Sequence, residues 1–323
     1  MKAVTFKKFG GPEVLEIQDI EIGKPGPKEV LVKNLSIGLN FIDTYHRSGL
    51  YPIPLPSGIG LEACGEIEEV GSEVQLFKVG DRVTHASMPI GAYSEKQIMP
   101  EEKLVSVPDG VSNEVASCIT LKGITAEYLL HRAYPLKKGD KVLYHAAAGG
   151  LGQILCPWAN ALGAEVIGTV GSKDKEQIAK KNGCHHVINY TDNNFVEEVE
   201  KIVGKNGIDV VYDGVGLKTF EGSIEVLKIR GMMVAFGNAS GYVDTIDVKK
   251  HINAKGLFFT RPSIAHYTVK REELKESAKK VFDAVLSNKF KVEISKKYSL
   301  DEAQKAHEDL ESRKLTGPAV ILP

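Results

Sequence analysis

From Lys141 onward the chain alternates short apolar runs with helical segments, and this alternation most narrows the folds open to it. KVLYHA, EVIGTVG, HHVINY, IDVVYDGVG and MMVAFG read as strands; LGQILCPWANALG, DKEQIAKKNG, NFVEEVEKIVG and TFEGSIEVLKIRG read as the helices between them. Strand and helix taking turns at this spacing predict an α/β fold with a doubly wound parallel sheet. Continuous apolar runs such as VLYHA and IDVVY suit strands covered by helices on both faces. The run GLFFT, Gly256 to Thr260, is expected to close the sheet as an edge strand.

The flanks read differently. Up to about Pro108 the signals are short strands broken by Gly and Pro: AVTF, VLEI, EVLVKNLSI, GEIEEVG, DRVTH and KLVSVP. The tail offers a helix from Arg271 to Asn288, a strand KVEI, a helix DEAQKAHEDLESR and a last strand PAVIL. An α/β sheet that already has its strands leaves no place for them, so the tail is assigned to the first, mostly β domain. At 323 residues the chain is long enough for two domains. The expected division is 1–124 for the β domain, 125–262 for the α/β domain and 263–323 for the return.

A net charge of −1 gives no clustered positive field for nucleic acid or an anionic membrane. No run is apolar and long enough to span a bilayer, and MKAVTFKKFG alternates like a strand, so the expected address is the cytoplasm. The four cysteines, Cys64, Cys118, Cys156 and Cys184, form no CxxC pair and are expected to be small buried hydrophobes.

The turn after the first α/β strand reads His145-Ala-Ala-Ala-Gly149-Gly150-Leu151-Gly152 and opens a helix. Small residues there let the chain turn tightly, bring backbone N–H groups to a pyrophosphate and pack the helix against its strand. A lone glycine motif says little; this one sits between strand and helix at the head of a βα series. At the tip of the next strand, where an acid would bond the ribose of NAD, the chain has Val170-Gly171-Ser172-Lys173-Asp174-Lys175. A hydroxyl followed by lysines suits a 2′-phosphate, which favours NADPH. Asp174 with Gln177 is read as a helix capping box. If these lysines are only a solvated helix start, the preference stays open. Tyr190, ending the following strand, can stack on adenine or bond the phosphate, or serve as an ordinary core-edge residue.

Several long blocks then carry a resemblance: GGPEVL, GLNFIDTYHRSGLYP, GLEACGEIEEVG, HAAAGGLGQ, FGNASG and ESRKLTGPAVILP. The chain resembles, end to end, the zinc-independent quinone oxidoreductase (zeta-crystallin-like) branch of the medium-chain dehydrogenase/reductase superfamily. The resemblance implies a GroES-like catalytic domain from both termini, a central Rossmann domain, a nicotinamide in the cleft between them, and a homodimer. It also implies that Phe41, Ile42, Asp43, Thr44 and Tyr45 line the nicotinamide end, Tyr128 the domain junction, and Gly150 and Leu151 the pyrophosphate. Ser172, Lys175 and Tyr190 match adenosine-phosphate positions. Val215, Gly237, Asn238, Ala239, Ser240, Pro262, Ser263 and Ile264 fall where the remaining strands end, and Arg313 returns to the cofactor from the tail.

Zinc alcohol dehydrogenases of that superfamily place a Cys near Asn40 to Asp43 and a His in a Gly-His-Glu motif; here the latter reads Gly60-Leu61-Glu62. With the imidazole gone, no three-ligand zinc set is offered, and Glu62 is expected to be a buried, hydrogen-bonded carboxylate. Reduction of a quinone by hydride from NADPH needs only positioning and a few donors at the developing oxyanion. Asn40, Tyr45 and Tyr51 are the candidate catalytic groups, against loop capping for Asn40 and cleft-wall packing for the tyrosines. Asp43 and Arg261 are candidates to orient the nicotinamide ribose, against surface loop charges. His46 is a lone histidine and is not assigned a role. Two other readings are reduction of an enal, enone or enoyl thioester with Tyr45 as proton donor, and a crystallin-like NADPH-binding protein with incidental turnover.

Overall fold

A computed structural model describes residues 1–323. The chain forms strands β1 (Lys2–Phe6), β2 (Glu16–Asp19), β3 (Glu29–Gly38), β4 (Ser57–Gly58), β5 (Glu62–Val70), β6 (Arg82–Ala86), β7 (Lys96–Pro100) and β8 (Val105–Ser106). Helix α1 (Phe41–Ser48) lies among them, and α2 (Asn113–Tyr128) follows. The α/β series then runs β9 (Lys141–His145), α3 (Gly152–Ala161), β10 (Glu165–Val170), α4 (Lys173–Lys181), β11 (His186–Asn189) and α5 (Phe195–Val203). It continues with β12 (Ile208–Asp213), α6 (Phe220–Val226), β13 (Leu227–Ala235), β14 (Phe258–Thr260) and α7 (Ile264–Tyr267). The tail holds α8 (Arg271–Leu286), β15 (Lys296–Ser299), α9 (Ala303–Glu311) and β16 (Ala319–Leu322).

Two compact units result. One comprises Met1–Ile124, Thr268–Leu286 and Val292–Pro323; the other comprises Thr125–Tyr267 with Ser287–Lys291. The short piece 287–291 joins the second unit because Phe290, 3% exposed, packs on Trp158 with ring centroids 5.6 Å apart.

In the first unit, β3 and β5 are buried along most of their length, and a seven-stranded sheet forms in the order β15-β16-β3-β5-β6-β8, with β7 also on β3. The return is fixed by register: β16 lies antiparallel to β3, with Val320 opposite Gly38 and Ile321 opposite Ile37. Ile321, Tyr298 and Ala306 share a core with Phe6, Ile37 and Tyr93, so residues from both flanks bury the same apolar surface. Each such large side chain contributes about 1.5–3 kcal/mol.

The second unit is a six-stranded sheet in the order β11-β10-β9-β12-β13-β14, with every pairing parallel. Counted from β9 as the first strand, this is the 3-2-1-4-5-6 order of a doubly wound dinucleotide-binding sheet, with the direction of winding reversing between β9 and β12. Its strands are buried: all six residues of β12 are buried, with Leu143, Ile167, Val211 and Met233 at the core.

Four local expectations change. KVEI forms no strand; β15 starts at Lys296, where Tyr298 can insert into the core. The helix of TFEGSIEVLKIRG stops at Val226 because Leu227 already pairs with Ile208, and the chain then bulges through Arg230, at φ 62°, before Met232 resumes opposite Val210. Asp174 is not a cap: α4 starts at Lys173 with Ser172 at the N-cap, so Asp174 sits in the first turn, where a carboxylate favours the helix dipole. Finally, α1 is a helix inside what reads as a β region. No helix is long and apolar enough to cross a membrane. All four cysteines are buried and free.

Candidate active site

In the second unit, candidate residues gather at the C-terminal ends of the parallel strands, where a doubly wound sheet binds its ligand. Gly149, Gly150 and Leu151 follow β9, and Gly171, Ser172 and Lys175 follow β10. Tyr190 follows β11, Val215 follows β12, and Gly237, Asn238, Ala239 and Ser240 follow β13. Arg261, Pro262, Ser263 and Ile264 follow β14.

Close packing explains the small residues. Ala146 turns with φ 64°, and a Cβ on Gly152 would overlap the Ala147 carbonyl, its carbon at 2.6 Å, so α3 starts directly against the end of β9. At the second strand end, a Cβ on Gly171 would meet the Tyr190 hydroxyl at 2.6 Å. The Tyr190 ring, 37% exposed, therefore lies over Gly171 beside the Ser172 N-cap. The loops after β12 and β13 lock together: Ser240 N–H and Oγ both donate to Val215 O at 2.8 Å, and Lys218 N–H donates to Ser240 Oγ at 3.0 Å.

Beneath these loops lies a fully buried polar network that the sequence did not reveal. Asp213 Oδ1 accepts the N–H groups of Val215 at 2.8 Å and Gly216 at 2.9 Å, and Oδ2 accepts the hydroxyls of Thr219 and Ser223. Ser223 also meets His145 Nε2 at 2.9 Å, and His145 Nδ1 meets Thr169 at 2.9 Å. Burial holds the His145 pKa below its ordinary value despite Asp213, so the ring is a neutral bridge between the ends of β9 and β10 and helix α6. Tyr128 stacks on Tyr267, with centroids 4.5 Å apart, and the Arg132 guanidinium lies over the Tyr267 ring at 4.9 Å. This stack anchors the end of α7, just past Pro262, Ser263 and Ile264.

In the first unit, α1 starts after Asn40, whose N–H donates to Asp43 Oδ2 at 2.9 Å, and ends at Gly49 with φ 83°. Phe41, Tyr45 and Tyr51 form a half-buried aromatic patch, Tyr45 to Tyr51 edge-on at 5.2 Å and Phe41 to Tyr45 at 6.0 Å. Ile42 is half-buried, Thr44 is buried with its hydroxyl donating to Phe41 O, and Arg313 lies exposed after α9.

For Asp43 the alternative of a surface loop charge is corrected: it is fully buried, and its Oδ2 accepts the Tyr93 hydroxyl at 3.0 Å. Behind Tyr93 runs a chain of donors with a fixed direction. Arg47 can only donate, so His307 Nδ1 accepts from it at 2.9 Å; Nε2–H then faces Tyr93 Oη at 3.2 Å, and Tyr93 donates to Asp43. Glu311 balances Arg47 at 2.6 Å. Burial raises the Asp43 pKa to about 7, against the Asn40 and Tyr93 hydrogen bonds.

Asn40 is 3% exposed, and its amide is engaged at both ends. Nδ2 donates to Glu62 Oε2 at 2.8 Å and to Gly38 O at 3.3 Å, while Oδ1 accepts from Lys122 Nζ at 2.6 Å. Glu62 is fully buried; burial raises its pKa, and Lys122, Asn40 and the Leu121 N–H pull it back. Lys122 appeared in no motif, because its partners lie 82 and 60 residues away in sequence.

Comparison with known proteins fits this architecture. Residues 26–136 match the model of the alcohol dehydrogenase GroES-like domain, and residues 150–311 match that of the zinc-binding dehydrogenases. A quinone oxidoreductase of Pseudomonas aeruginosa is 46% identical, covering 100% of this chain and 99% of its own. A 2-haloacrylate reductase of a Burkholderia species is 45% identical over 100% and 99%. The crystal structure of Escherichia coli quinone oxidoreductase complexed with NADPH superposes with a TM-score of 0.97 at 46% identity, with both chains covered in full. The chain therefore belongs to the medium-chain dehydrogenase/reductase superfamily, in its quinone oxidoreductase branch. A zinc ion, which the name of one family model suggests, does not fit these side chains. No three His, Cys, Asp or Glu side chains converge, and around Glu62 the neighbours are an amide and an ammonium.

Proposed function

We propose that the protein is an NADPH-dependent quinone reductase. The observation that carries this reading is the set of strand ends in the second unit, with the close-packed Gly152 helix start on the first and the Gly171, Ser172 and Tyr190 cluster on the second and third. The turn from Gly149 to Leu151 would hold the pyrophosphate at the start of α3. Ser172, Lys175 and Tyr190 would hold the 2′-phosphate. Val215, Gly237 to Ser240 and Arg261 to Ile264 would line the rest of the dinucleotide, with Asp213 and His145 fixing the loops from below. Bound there, the reduced nicotinamide supplies a hydride to an acceptor. On the first unit, the Phe41, Tyr45 and Tyr51 patch offers flat apolar contact to a quinone ring. Asn40 orients Lys122 and Glu62.

The test is a pair of dinucleotide titrations combined with steady-state rates. Lys175→Ala is expected to weaken NADPH by about 1–3 kcal/mol while leaving NADH nearly unchanged, as for loss of a charge-assisted contact. Equal weakening of both would remove the phosphate assignment. Turnover of 1,4-benzoquinone is expected from the unmodified protein, and its absence would sink the reductase reading. The 2-haloacrylate reductase relative favours a second reading, reduction of an activated C=C bond with Tyr45 as proton donor. Tyr45→Phe would then abolish turnover of a 2-alkenal while sparing the quinone.

A homodimer through β14 is part of this proposal. This strand is the free edge of the sheet, and Phe258 on it, with Ile229 and Val248, is more than half exposed. Light scattering is expected to give twice the 35.2 kDa chain mass. Four free, buried cysteines suit a cytoplasmic location.

A further inference from the structure

The ammonium of Lys122 is held in an unusual way. It donates to Leu39 O at 3.1 Å and to Asn40 Oδ1 at 2.6 Å, which accounts for two of its three hydrogens. Its counter-ion is Glu62, but Oε2 of that carboxylate stands 3.8 Å away, outside hydrogen-bonding distance. Both carboxylate oxygens are occupied elsewhere, Oε1 by the Leu121 N–H at 2.6 Å and Oε2 by the Asn40 amide at 2.8 Å. Glu62 thus supplies charge balance without taking the third hydrogen. The lysine side chain is 12% exposed, against 0% for Glu62. Its head lies at the start of α1, against Asn40, one residue before Phe41 of the aromatic patch. Leu39 and Asn40 thus fix the ammonium, Glu62 balances its charge, and its third N–H has no protein acceptor.

We propose that Lys122 is a catalytic residue: its third N–H receives the acceptor oxygen on which negative charge collects during reduction. The assignment rests on the reductase reading above. Hydride leaves C4 of the dihydronicotinamide and bonds to one carbonyl oxygen of the quinone, and the electron pair it brings passes through the ring to the opposite oxygen, the one beside Lys122. The dinucleotide leaves oxidised, and the reduced quinone is left as an oxyanion that water then protonates. Lys122 stays protonated throughout and acts as a fixed positive donor, preorganised by Leu39, Asn40 and Glu62.

The experiment compares the unmodified protein with Lys122→Met and with the double variant Lys122→Met/Glu62→Gln, which removes both buried charges and guards against misfolding. NADPH dissociation constants are read by fluorescence, thermal midpoints by calorimetry, and kcat/KM over a series of substituted 1,4-benzoquinones of falling reduction potential. Both variants are expected to keep NADPH affinity within about twofold, while kcat/KM drops roughly 100- to 1000-fold, more for the weaker acceptors, which depend most on help at the oxyanion. Recovery of kcat/KM in the double variant to within about fivefold of the unmodified protein would overturn the proposal, because neutralising Glu62 would then be the whole role of Lys122. A loss of the same size for every quinone would overturn it too. If the unmodified protein binds NADPH but turns over no quinone, the reductase reading itself falls, an outcome visible without either variant.

Discussion

Gly152→Ala is expected to abolish useful dinucleotide binding, with an affinity loss of roughly 100-fold or more, and to destabilise the fold by about 2–3 kcal/mol. Helix propensity alone argues the opposite, since alanine is favoured over glycine by about 1 kcal/mol in a helix. Geometry decides the sign. The added Cβ would overlap the carbonyl of Ala147, whose carbon and Cα lie 2.6 and 2.9 Å away, and these backbone atoms cannot swing aside like a side chain. Relief requires α3 to move off the end of β9, which displaces the Gly150 and Leu151 amides together. Gly23→Ala, where nothing lies within 4 Å, is the control. Calorimetric titration with NADPH and urea unfolding check both halves; a Gly152→Ala protein that bound as tightly as the original would remove the helix start from the proposed cradle.

Acid should destabilise the protein well before its ordinary carboxylates titrate. Burial holds His46 and His85 down to about 4, and burial with the Arg47 charge holds His307 down to about 3. The unfolded chain takes up protons on these rings near pH 6.5 while the native protein does not. Stability is therefore lost as the pH falls from about 6.5 to about 4 or 3, each ring costing roughly 3 kcal/mol or more. Asp43 works the other way: with its pKa raised to about 7, the native state binds a proton that the unfolded chain refuses down to about 4, which returns roughly 4 kcal/mol over that window. Glu62, also raised by burial, adds to that return and His145, also lowered, adds to the loss, so the net expectation is a loss of stability between pH 7 and pH 3.5 carried by the buried histidines. His85→Leu should shrink that loss and raise stability at neutral pH, because the fully buried His85 ring is desolvated and has no more than a poorly formed contact with the Leu61 backbone to offset it. Urea midpoints across this range decide it; a flat profile would contradict the burial argument.

The parts legible in the sequence were those written in local periodicity. The strands and most helices of the second unit follow from runs such as IDVVY and from the Gly149 to Gly152 turn, because one stretch of chain carries each signal. Helix α1 escaped because FIDTYHRS is short and mixed in polarity; the usable signs were Asn40 with Asp43 three residues on, and Gly49 just past the end. KVEI misled because alternation marks only a candidate strand, whereas pairing needs a partner, and β16 takes Lys296–Ser299 instead. In the site, glycines and the Ser172 segment were readable from position alone. Lys122, Tyr93, His307 and the His145 network were not, since each acquires meaning only from partners brought together by the fold. Asp43 shows the same limit from the other side: its type allowed a surface loop charge, and only the fold reveals its burial.

The antiparallel pairing of β16 with β3 also sets an order of events during synthesis. Residues 319–322 leave the ribosome only after Thr125–Tyr267 has been made, so the second unit can fold while the first still waits for a strand. Until then Gly38 and Ile37 present an unpaired edge, open to the wrong strand or to a chaperone. Nascent chains stalled short of Ala319 should therefore be the most aggregation-prone, and a bulky fusion just beyond β16 should slow maturation more than one ahead of β1.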